Sequence, residues 1–183
     1  MAVFFIADLH FNHKRIIETC NRPFKDIYNM NTFLINNWNS VVNREDTVFV
    51  LGDVYNFVET KDSKTIDEDT YNFYFIISSL KGHKYLIKGN HDTRNDSVYL
   101  ICNCFEKVYD YPILYNNFFL LSHEPLLLSN TTPYFNLYGH VHNDGKFKDT
   151  LTSKCVCVER VNYTPISLEK IMEEINELLQ KTN

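Results

Sequence analysis

Histidine, aspartate and asparagine residues recur in this sequence directly after short apolar stretches. They fall at five places along the chain: Asp8 with His10, Asp53, Asn90 with His91 and Asp92, His123, and His140 with His142. Imidazole nitrogens and carboxylate oxygens together suit Mn, Fe, Co or Zn ions, whereas an all-oxygen site would suit Mg or Ca. The residue types therefore predict a metal centre, in which the Asp53 carboxylate is suited to bridge two cations.

Each of these motifs is weak evidence when it is taken alone. An Asp-x-His or a Gly-Asp pair is usually a plain turn, and a histidine after an apolar run is usually structural. Five such motifs in order, each after an apolar run, make a shared site the more economical interpretation. Gly52, Gly89 and Gly139, which stand next to the motifs, permit tight turns and close approach of the backbone.

The apolar runs predict the strands that must position these residues. Short runs rich in β-branched and aromatic residues occupy 3–7, 47–51, 85–88, 118–122, 135–138 and 155–160. Ligands bind at the carboxyl ends of strands in open α/β sheets, so five such ends predict one shared site. The single residue between Asp8 and His10, and between His140 and His142, predicts that each pair lies on one side of an extended backbone.

Apolar residues at helical spacing predict helices between and after the strands. They mark residues 16–20, 30–41, 71–80 and 168–179, and Ser167 is suited to cap the last helix. Strands that alternate with helices predict the α/β class. The polar stretch 55–70 has no periodicity and is predicted to be a long loop, either a lid over the site or a solvated insertion.

The composition indicates one globular domain that spans residues 1–183. Hydrophobic residues make up 44% of the chain, and the net charge of −5 gives no strong signal for binding nucleic acid or an anionic membrane. No stretch approaches the ~20 apolar residues of a membrane span. The apolar N-terminus lacks a basic leader and the five cysteines are odd in number, so we expect a cytoplasmic protein with free, buried thiols.

In combination, the motifs resemble those of the calcineurin-like metallophosphoesterase superfamily. Asp-x-His, Gly-Asp, Gly-Asn-His-Asp, a later His and Gly-His-x-His occur in that order between Asp8 and His142, and the segment from Val158 is similar to the end of small bacterial and phage members. The resemblance implies a two-sheet αββα sandwich with a di-metal site at the carboxyl ends of the strands. It also implies hydrolysis of phosphate esters by a hydroxide that bridges two ions.

The resemblance assigns a role to each residue of the motifs. One ion would take Asp8, His10, Asp53 and His142, and the other would take Asp53, Asn90, His123 and His140. His91 would stand over the phosphate, stabilise developing charge and protonate the leaving oxygen. Asp92 would support a histidine or cap the turn. The expected cofactors are two divalent ions among Mn, Fe, Zn and Co, with Mn favoured for activity.

Departures from the protein phosphatases of this superfamily narrow the expected substrate. Those enzymes carry Gly-Asp-x-x-Asp-Arg-Gly and Gly-Asn-His-Glu, whereas residues 52–57 lack that arginine and Asp92 replaces the glutamate. We therefore favour phosphodiesters of nucleotide type, with a phosphomonoesterase of nucleotides or small phosphates and a metal-bound scaffold without turnover as alternatives. The presence of His91 favours catalysis. Four more residues are candidates for substrate binding: Asn12, His13, Arg22 and Arg94.

Overall fold

Strands and helices alternate along the chain in the computed structural model, which describes residues 1–57, 68–92, 99, 102–129 and 131–182. The strands are β1 (Val3–Ile6), β2 (Thr47–Val50), β3 (His83–Ile87), β4 (Lys107–Tyr109), β5 (Ile113–Tyr115), β6 (Phe119–Leu121), β7 (Phe135–Tyr138), β8 (Ser153–Cys155) and β9 (Ile166–Ser167). The helices are α1 (Lys14–Thr19), α2 (Ile27–Val41), α3 (Glu68–Ser79) and α4 (Leu168–Thr182). The predicted loop at 55–70 lies largely outside the described residues, and its last part is the start of α3.

The strands form two sheets of mostly parallel strands. The first has the order β4-β3-β2-β1-β9, in which β1 to β4 run parallel and β9 is antiparallel to β1. The second has the order β5-β6-β7-β8, in which β6, β7 and β8 run parallel. The predicted α/β class with two sheets is confirmed. Parallel neighbours end at the same edge of a sheet, so β1, β2 and β3 deliver their following residues to one place.

Two apolar layers hold the sheets and helices together. Side chains that alternate along β1 point to opposite faces of the first sheet, as the two-residue period of a strand requires. Phe4 and Ile6 pack with the buried faces of α2 and α3, while Phe5 packs with residues of the second sheet such as Phe119 and Leu137. The first sheet is therefore buried on both faces, which explains its nearly continuous apolar strands.

Two of the helices, α2 and α4, begin at a capping side chain. The Asp26 carboxylate accepts a hydrogen bond of 2.8 Å from the backbone N–H of Asn29 at the start of α2. The Ser167 hydroxyl accepts one of 3.1 Å from the N–H of Lys170 in α4, so the predicted cap is confirmed. Among the described residues, no helix has the length and apolar character that crossing a membrane requires.

The strand predicted at 155–160 is wrong for most of its length, because only Cys155 belongs to β8. The chain then leaves one sheet for the other. The Val156 N–H donates to the carbonyl of Tyr138, the last residue of β7. The Val156 carbonyl accepts from the Ala7 N–H, and the Val158 N–H donates to the Ala7 carbonyl, directly after β1. Residues 156–158 thus tie the end of β1 to the end of β7, which fixes the two sheets relative to each other.

Candidate di-metal active site

The seven residues predicted as metal ligands lie together at the ends of five strands. Asp8 and His10 follow β1, Asp53 follows β2, Asn90 follows β3, His123 follows β6, and His140 and His142 follow β7. The strands of the two sheets end on the same side of the sandwich, joined there by residues 156–158. Side chains more than 130 positions apart in sequence therefore meet in one site, as the 3.6 Å distance between Asp8 Oδ1 and His142 Nε2 illustrates.

The first group of ligand atoms comes from Asp8, His10, Asp53 and His142. His10 Nε2 lies 3.9 Å from Asp8 Oδ1 and 3.5 Å from Asp53 Oδ2, and His142 Nε2 lies 3.6 Å from Asp8 Oδ1. Ligands bound about 2.0–2.2 Å from one ion are roughly 3.0–3.5 Å apart, so these distances nearly match a coordination shell. Asp8 Oδ1 and His10 Nε2 are buried and have no hydrogen-bond partner in the described part of the chain. A cation between them would satisfy both atoms.

The second group comes from Asp53, Asn90, His123 and His140. His123 Nε2 lies 3.1 Å from Asn90 Oδ1, 3.1 Å from His140 Nδ1 and 3.5 Å from Asp53 Oδ2. The other ring nitrogen of His123 is 2.8 Å from the Leu51 carbonyl, which accepts its proton and leaves the Nε2 lone pair facing the site. This group also fits one cation.

The two carboxylates of the site are each anchored through one oxygen and open at the other. Asp53 Oδ1 accepts the His91 N–H at 2.9 Å, while Oδ2 lies 3.5 Å from both His10 Nε2 and His123 Nε2. Asp8 Oδ2 accepts the His140 N–H at 2.8 Å and the Cys157 thiol at 3.1 Å, while Oδ1 faces the histidines. Asp53 therefore has the geometry of a bridge between the two groups, with its second oxygen shared by both.

The backbone of the ligands departs from the extended conformation that their spacing predicted. Positive φ angles occur at Asp8 (59°), His10 (49°), Asp53 (55°), His140 (70°) and His142 (45°). Residues other than glycine rarely adopt this left-handed backbone conformation, and such strain concentrates at functional sites. The prediction of an extended backbone for the two His-containing pairs is wrong, because left-handed turns and not a pleat direct both members of each pair into the site.

Two glycines allow the strand ends to approach closely. Gly52 has a φ of 88°, and a Cβ built on it would lie 2.7 Å from the Gly89 Cα and would overlap the His123 ring. A Cβ on Gly89 would lie 2.8 Å from the Asp53 nitrogen and would overlap the Asp53 carboxylate. Any side chain at these positions would displace a ligand, so the site needs glycine at both.

Asp92 supports the turns that carry the ligands. Its fully buried carboxylate accepts the N–H groups of Asp53 (2.7 Å), Val54 (3.1 Å) and Gly89 (2.8 Å) and the Tyr99 hydroxyl (2.6 Å). Burial and the neighbouring Asp53 charge raise its pKa, which these hydrogen bonds partly offset. Of the two roles predicted for Asp92, capping of the turn agrees with these contacts, since the groups that donate to its carboxylate are backbone N–H groups and the Tyr99 hydroxyl.

We expect Asp92→Asn to destabilise the fold. Either orientation of the new amide places an NH₂ group against donors that now bind a carboxylate oxygen. Unsatisfied buried groups cost about 1–3 kcal/mol each, so the loss should be about 2–4 kcal/mol in the free energy of unfolding. Urea denaturation of the metal-free protein measures it, with Tyr99→Phe as a milder comparison that loses about 1 kcal/mol. Equal stability of D92N and the parent chain would contradict this role.

His91 and His13 stand at the mouth of the first ligand group. The His91 ring is exposed and lies 5.0 Å from the His10 ring and 5.7 Å from the His13 ring, measured between centroids. His13 Nδ1 is 3.2 Å from His10 Nδ1, so the nitrogen of His10 that faces away from the site is within hydrogen-bond distance of His13. Burial and the nearby His91 lower the pKa of His13, which favours its neutral form.

The other residues predicted to bind substrate have different positions. The prediction that Arg22 binds substrate is wrong. Its guanidinium is fully buried and donates to the carbonyls of Asp8 and Leu9 and to Glu159, so it faces the protein interior. The Asn12 amide donates to Asp69 Oδ1 at 3.1 Å, in the first turn of α3. Arg94 lies outside the described residues.

Burial governs the charges of the first ligand group. It lowers the pKa of His10 well below its ordinary value, with a contribution from the Arg22 charge, so this ring is neutral as a metal ligand must be. It raises the pKa of Asp8, partly offset by His123 and His142. Burial also opposes protonation of His142, but hydrogen bonds with Cys20 and Glu159 and the Asp8 charge raise its pKa to about 10 in the metal-free chain.

Sequence reasoning missed three residues that contact the site: Glu159, Tyr99 and Cys157. Glu159 accepts a hydrogen bond of 3.0 Å from His142 Nδ1. A charged residue directly after the buried run 155–158 is the one signal in the sequence that indicates a buried, partnered acid at 159.

All five cysteines are free, as predicted, with Cys155 and Cys157 buried and the other three half-buried.

The chain belongs to the calcineurin-like phosphoesterase family, whose family model matches residues 1–181. This membership makes it a metal-dependent phosphoesterase, and the family's use of two divalent metals agrees with the two groups of ligand atoms.

The chain is also similar to individual proteins, two of which match it over nearly its whole length. The uncharacterised protein MJ1445 of Methanocaldococcus jannaschii is 33% identical over 182 residues, which cover 94% of this chain and 90% of that protein. The Gene 66 protein of Mycobacterium phage L5 is 36% identical over 88 residues, or 48% of this chain and 38% of that protein. The crystal structure of AQ665 from Aquifex aeolicus, a protein of unknown function, has a TM-score of 0.67 at 25% identity and covers 95% of this chain and 99% of its own.

Proposed function

We propose that this protein hydrolyses phosphodiesters of nucleotide type with two divalent ions, for which Mn²⁺ is the favoured metal. The first ion would be held by Asp8, His10, Asp53 and His142, and the second by Asp53, Asn90, His123 and His140. The observation that carries this proposal is the Asp53 Oδ2 atom, which lies 3.5 Å from a histidine nitrogen of each group. Mixed nitrogen and oxygen donors suit Mn and its transition-metal neighbours better than Mg or Ca.

The surrounding side chains supply the rest of the reaction. When bound, the ions would provide the activation of water and the neutralisation of phosphoryl charge that ester hydrolysis requires. His91, next to the ligand Asn90 and exposed at the mouth, is placed to donate a proton to the leaving oxygen. His13, at the same mouth, is placed to donate a hydrogen bond to a phosphoryl oxygen.

Among the residues that the structure describes, two arginines near the site support a diester over a monoester. A phosphomonoester is a dianion near neutral pH and gains most from the planar fork of an arginine. Arg22 is directed to Asp8, Leu9 and Glu159, and Arg160 donates to the carbonyls of His142, Asp144 and Phe147. Neither of these two guanidinium groups is free to bind substrate, which suits the single charge of a diester.

A cavity next to the second ligand group supports a nucleotide substrate. It has a volume of about 520 Å³ and is lined by residues that include Asn90, His123, Glu124 and Tyr111. Tyr111, which lines this cavity, is 80% exposed. An exposed ring gives a nucleobase a surface on which to stack. The substrate would therefore reach from the ions into a space that is large enough for a nucleoside.

A hydrolysis screen with Mn²⁺ tests the proposal. Bis-p-nitrophenyl phosphate should be hydrolysed with a kcat/KM at least about tenfold above that of p-nitrophenyl phosphate, since the site complements one charge better than two. Cyclic nucleotides and dinucleotides then form the second panel. Removal of metal by a chelator should abolish turnover, and Mn²⁺ should restore more activity than Mg²⁺.

Two results would favour the alternatives. A higher kcat/KM for the monoester and for nucleoside monophosphates would assign the protein to the phosphomonoesterases. Two bound ions without hydrolysis of any ester in the panel would favour the metal-bound scaffold. Both results would leave the family membership and the ligand positions unchanged.

A further inference from the structure

Glu159 makes a set of contacts behind His142, on the side away from the proposed ions. Its side chain is completely buried, and its Oε1 atom lies 3.0 Å from His142 Nδ1. The other ring nitrogen, His142 Nε2, lies 3.6 Å from Asp8 Oδ1 inside the first ligand group. A hydrogen bond from Nδ1 to a carboxylate fixes which nitrogen carries the proton and how the ring is turned.

Arg22 holds Glu159 in place from the opposite side. Its Nε and Nη2 atoms lie 2.9 Å and 2.8 Å from the same Oε1 atom. Nη2 also donates to the Asp8 carbonyl at 2.7 Å, and Nη1 donates to the Leu9 carbonyl at 3.0 Å. The guanidinium thus connects the Glu159 carboxylate, which contacts His142, with the backbone that carries Asp8 and His10. Arg22 therefore supports both His142 and the Asp8–His10 segment of the first ligand group.

Arg160 holds the backbone of the same histidine. Its Nε atom donates to the His142 carbonyl at 2.6 Å, and its two other nitrogens donate to the carbonyls of Asp144 and Phe147. His142 has a φ of 45°, a conformation that a histidine adopts only when its surroundings impose it. Glu159 therefore fixes the side chain of His142, and Arg160, the next residue, fixes its backbone.

We propose that Glu159, supported by Arg22, is a positioning residue that orients His142 toward the first ion. This inference rests on the two-ion function proposed above, and it assigns Glu159 no contact with ion or substrate. The carboxylate keeps the proton of the imidazole on Nδ1 and presents the Nε2 lone pair beside Asp8. Without it the ring is free to rotate or change tautomer, and the first ion loses one of its four ligands.

The same residues suggest a rival interpretation, a third ion between Cys20, His142 and Glu159. Ligand atoms of these three side chains lie within 4.8 Å of one another. The position of Arg22 argues against an ion there, because its guanidinium lies 2.8 Å from Glu159 Oε1 and already neutralises this carboxylate, although Oε2 is buried without a hydrogen-bond partner in the described residues. A second positive charge at that distance would be repelled in a buried site.

Titration of the metal-free protein with Mn²⁺ and Zn²⁺, followed by calorimetry, tests the inference without reference to activity. Glu159→Gln should lower the affinity for the first ion by about 10–100-fold and change the affinity for the second ion by less than about threefold. His10→Ala and His123→Ala identify which binding step belongs to which site. Glu106→Gln is the matched control, since Glu106 also accepts from a histidine Nδ1, that of His83, at 2.8 Å, but at a half-exposed surface pair. E106Q should bind both ions as the parent chain does.

The outcomes separate this inference from the proposed function. A parent chain that binds fewer than two ions would overturn the two-ion function and this inference with it. Two ions in the parent chain, with equal affinities in folded E159Q, would overturn the inference alone. If E159Q does not fold, the double variant Glu159→Gln with Arg22→Met leaves no unpaired buried cation and should show the same selective loss.

A measurement on the unmutated protein gives a second test. In the Zn²⁺-loaded chain with ¹⁵N-labelled histidines, the His142 resonances, assigned by their loss in His142→Gln, should show a proton on Nδ1 and none on Nε2. Absence of the Nδ1 proton would overturn the inference. That result combined with a third equivalent of bound zinc would favour the rival site at Cys20.

Discussion

Asp53→Asn should abolish most of the activity and release metal at the same time. The Oδ2 atom of Asp53 faces both ligand groups, and its charge would lie between two cations. An amide cannot replace it in either orientation: NH₂ at the Oδ2 position faces the cations, and NH₂ at the Oδ1 position faces the His91 N–H. Charge stabilisation by the ions is worth several kcal/mol, and each 1.36 kcal/mol is tenfold, so kcat/KM should fall by about 10³-fold or more.

The measurement combines kinetics at saturating Mn²⁺ with elemental analysis after dialysis. Asp46→Asn is the control, because Asp46 is also a buried carboxylate that accepts backbone N–H groups, from Ala2 and Asn43, but lies apart from the ligands. D46N should retain its metals and its kcat/KM when it is folded. Full turnover and two tightly bound ions in D53N would show that Asp53 is not the bridge.

The proposed ligands could be found from sequence because parallel strands end at a common edge. Asp8, Asp53 and Asn90 each follow an apolar run. The prediction of a shared site does not depend on the order of these strands in the sheet, because the carboxyl ends of β1, β2 and β3 all lie at one edge. The main helices and the apolar runs that contain β1, β2, β3, β6 and β7 are long enough to show a period of 3.6 or 2. The strands β4, β5 and β9 have two or three residues each, which is too short to show either period.

The support of the ligands could not be found from sequence because it depends on packing. Arg22 and Glu159 are 137 positions apart, and nothing in either local sequence shows that the two side chains meet in a buried pair. An arginine near a phosphate site is attractive as a substrate contact, but whether its guanidinium faces inward or outward is decided by the tertiary fold. Left-handed backbone at Asp8 and His10 likewise has no signature in a sequence without glycine at those positions.

His91→Ala should separate catalysis from metal binding. The backbone N–H of residue 91, which donates to Asp53 Oδ1 at 2.9 Å, is retained in the alanine variant, and the neighbouring ligand Asn90 is untouched. Both ions and the fold should therefore remain. The loss of proton donation and charge stabilisation should lower kcat by about 10²–10⁴-fold for a substrate with a poor leaving group.

The dependence on the leaving group identifies which of these two effects His91 supplies. A p-nitrophenolate leaves without protonation, so kcat for bis-p-nitrophenyl phosphate should fall less than kcat for a nucleotide diester with a ribose alkoxide. His83→Ala is the control, because His83 is an exposed histidine at the opposite end of β3 and pairs with Glu106. It should match the parent chain on both substrates.

Three results are informative when metal content is measured in parallel. A larger loss on the ribose leaving group, with two ions retained, supports His91 as the general acid. Equal losses on both substrates would remove the proton transfer and leave charge stabilisation, since only protonation depends on the basicity of the leaving oxygen. No loss on either substrate, with both ions bound, would assign the proton donation elsewhere. His13 would then be the next residue to replace, because its ring lies 5.7 Å from that of His91 at the same mouth of the site.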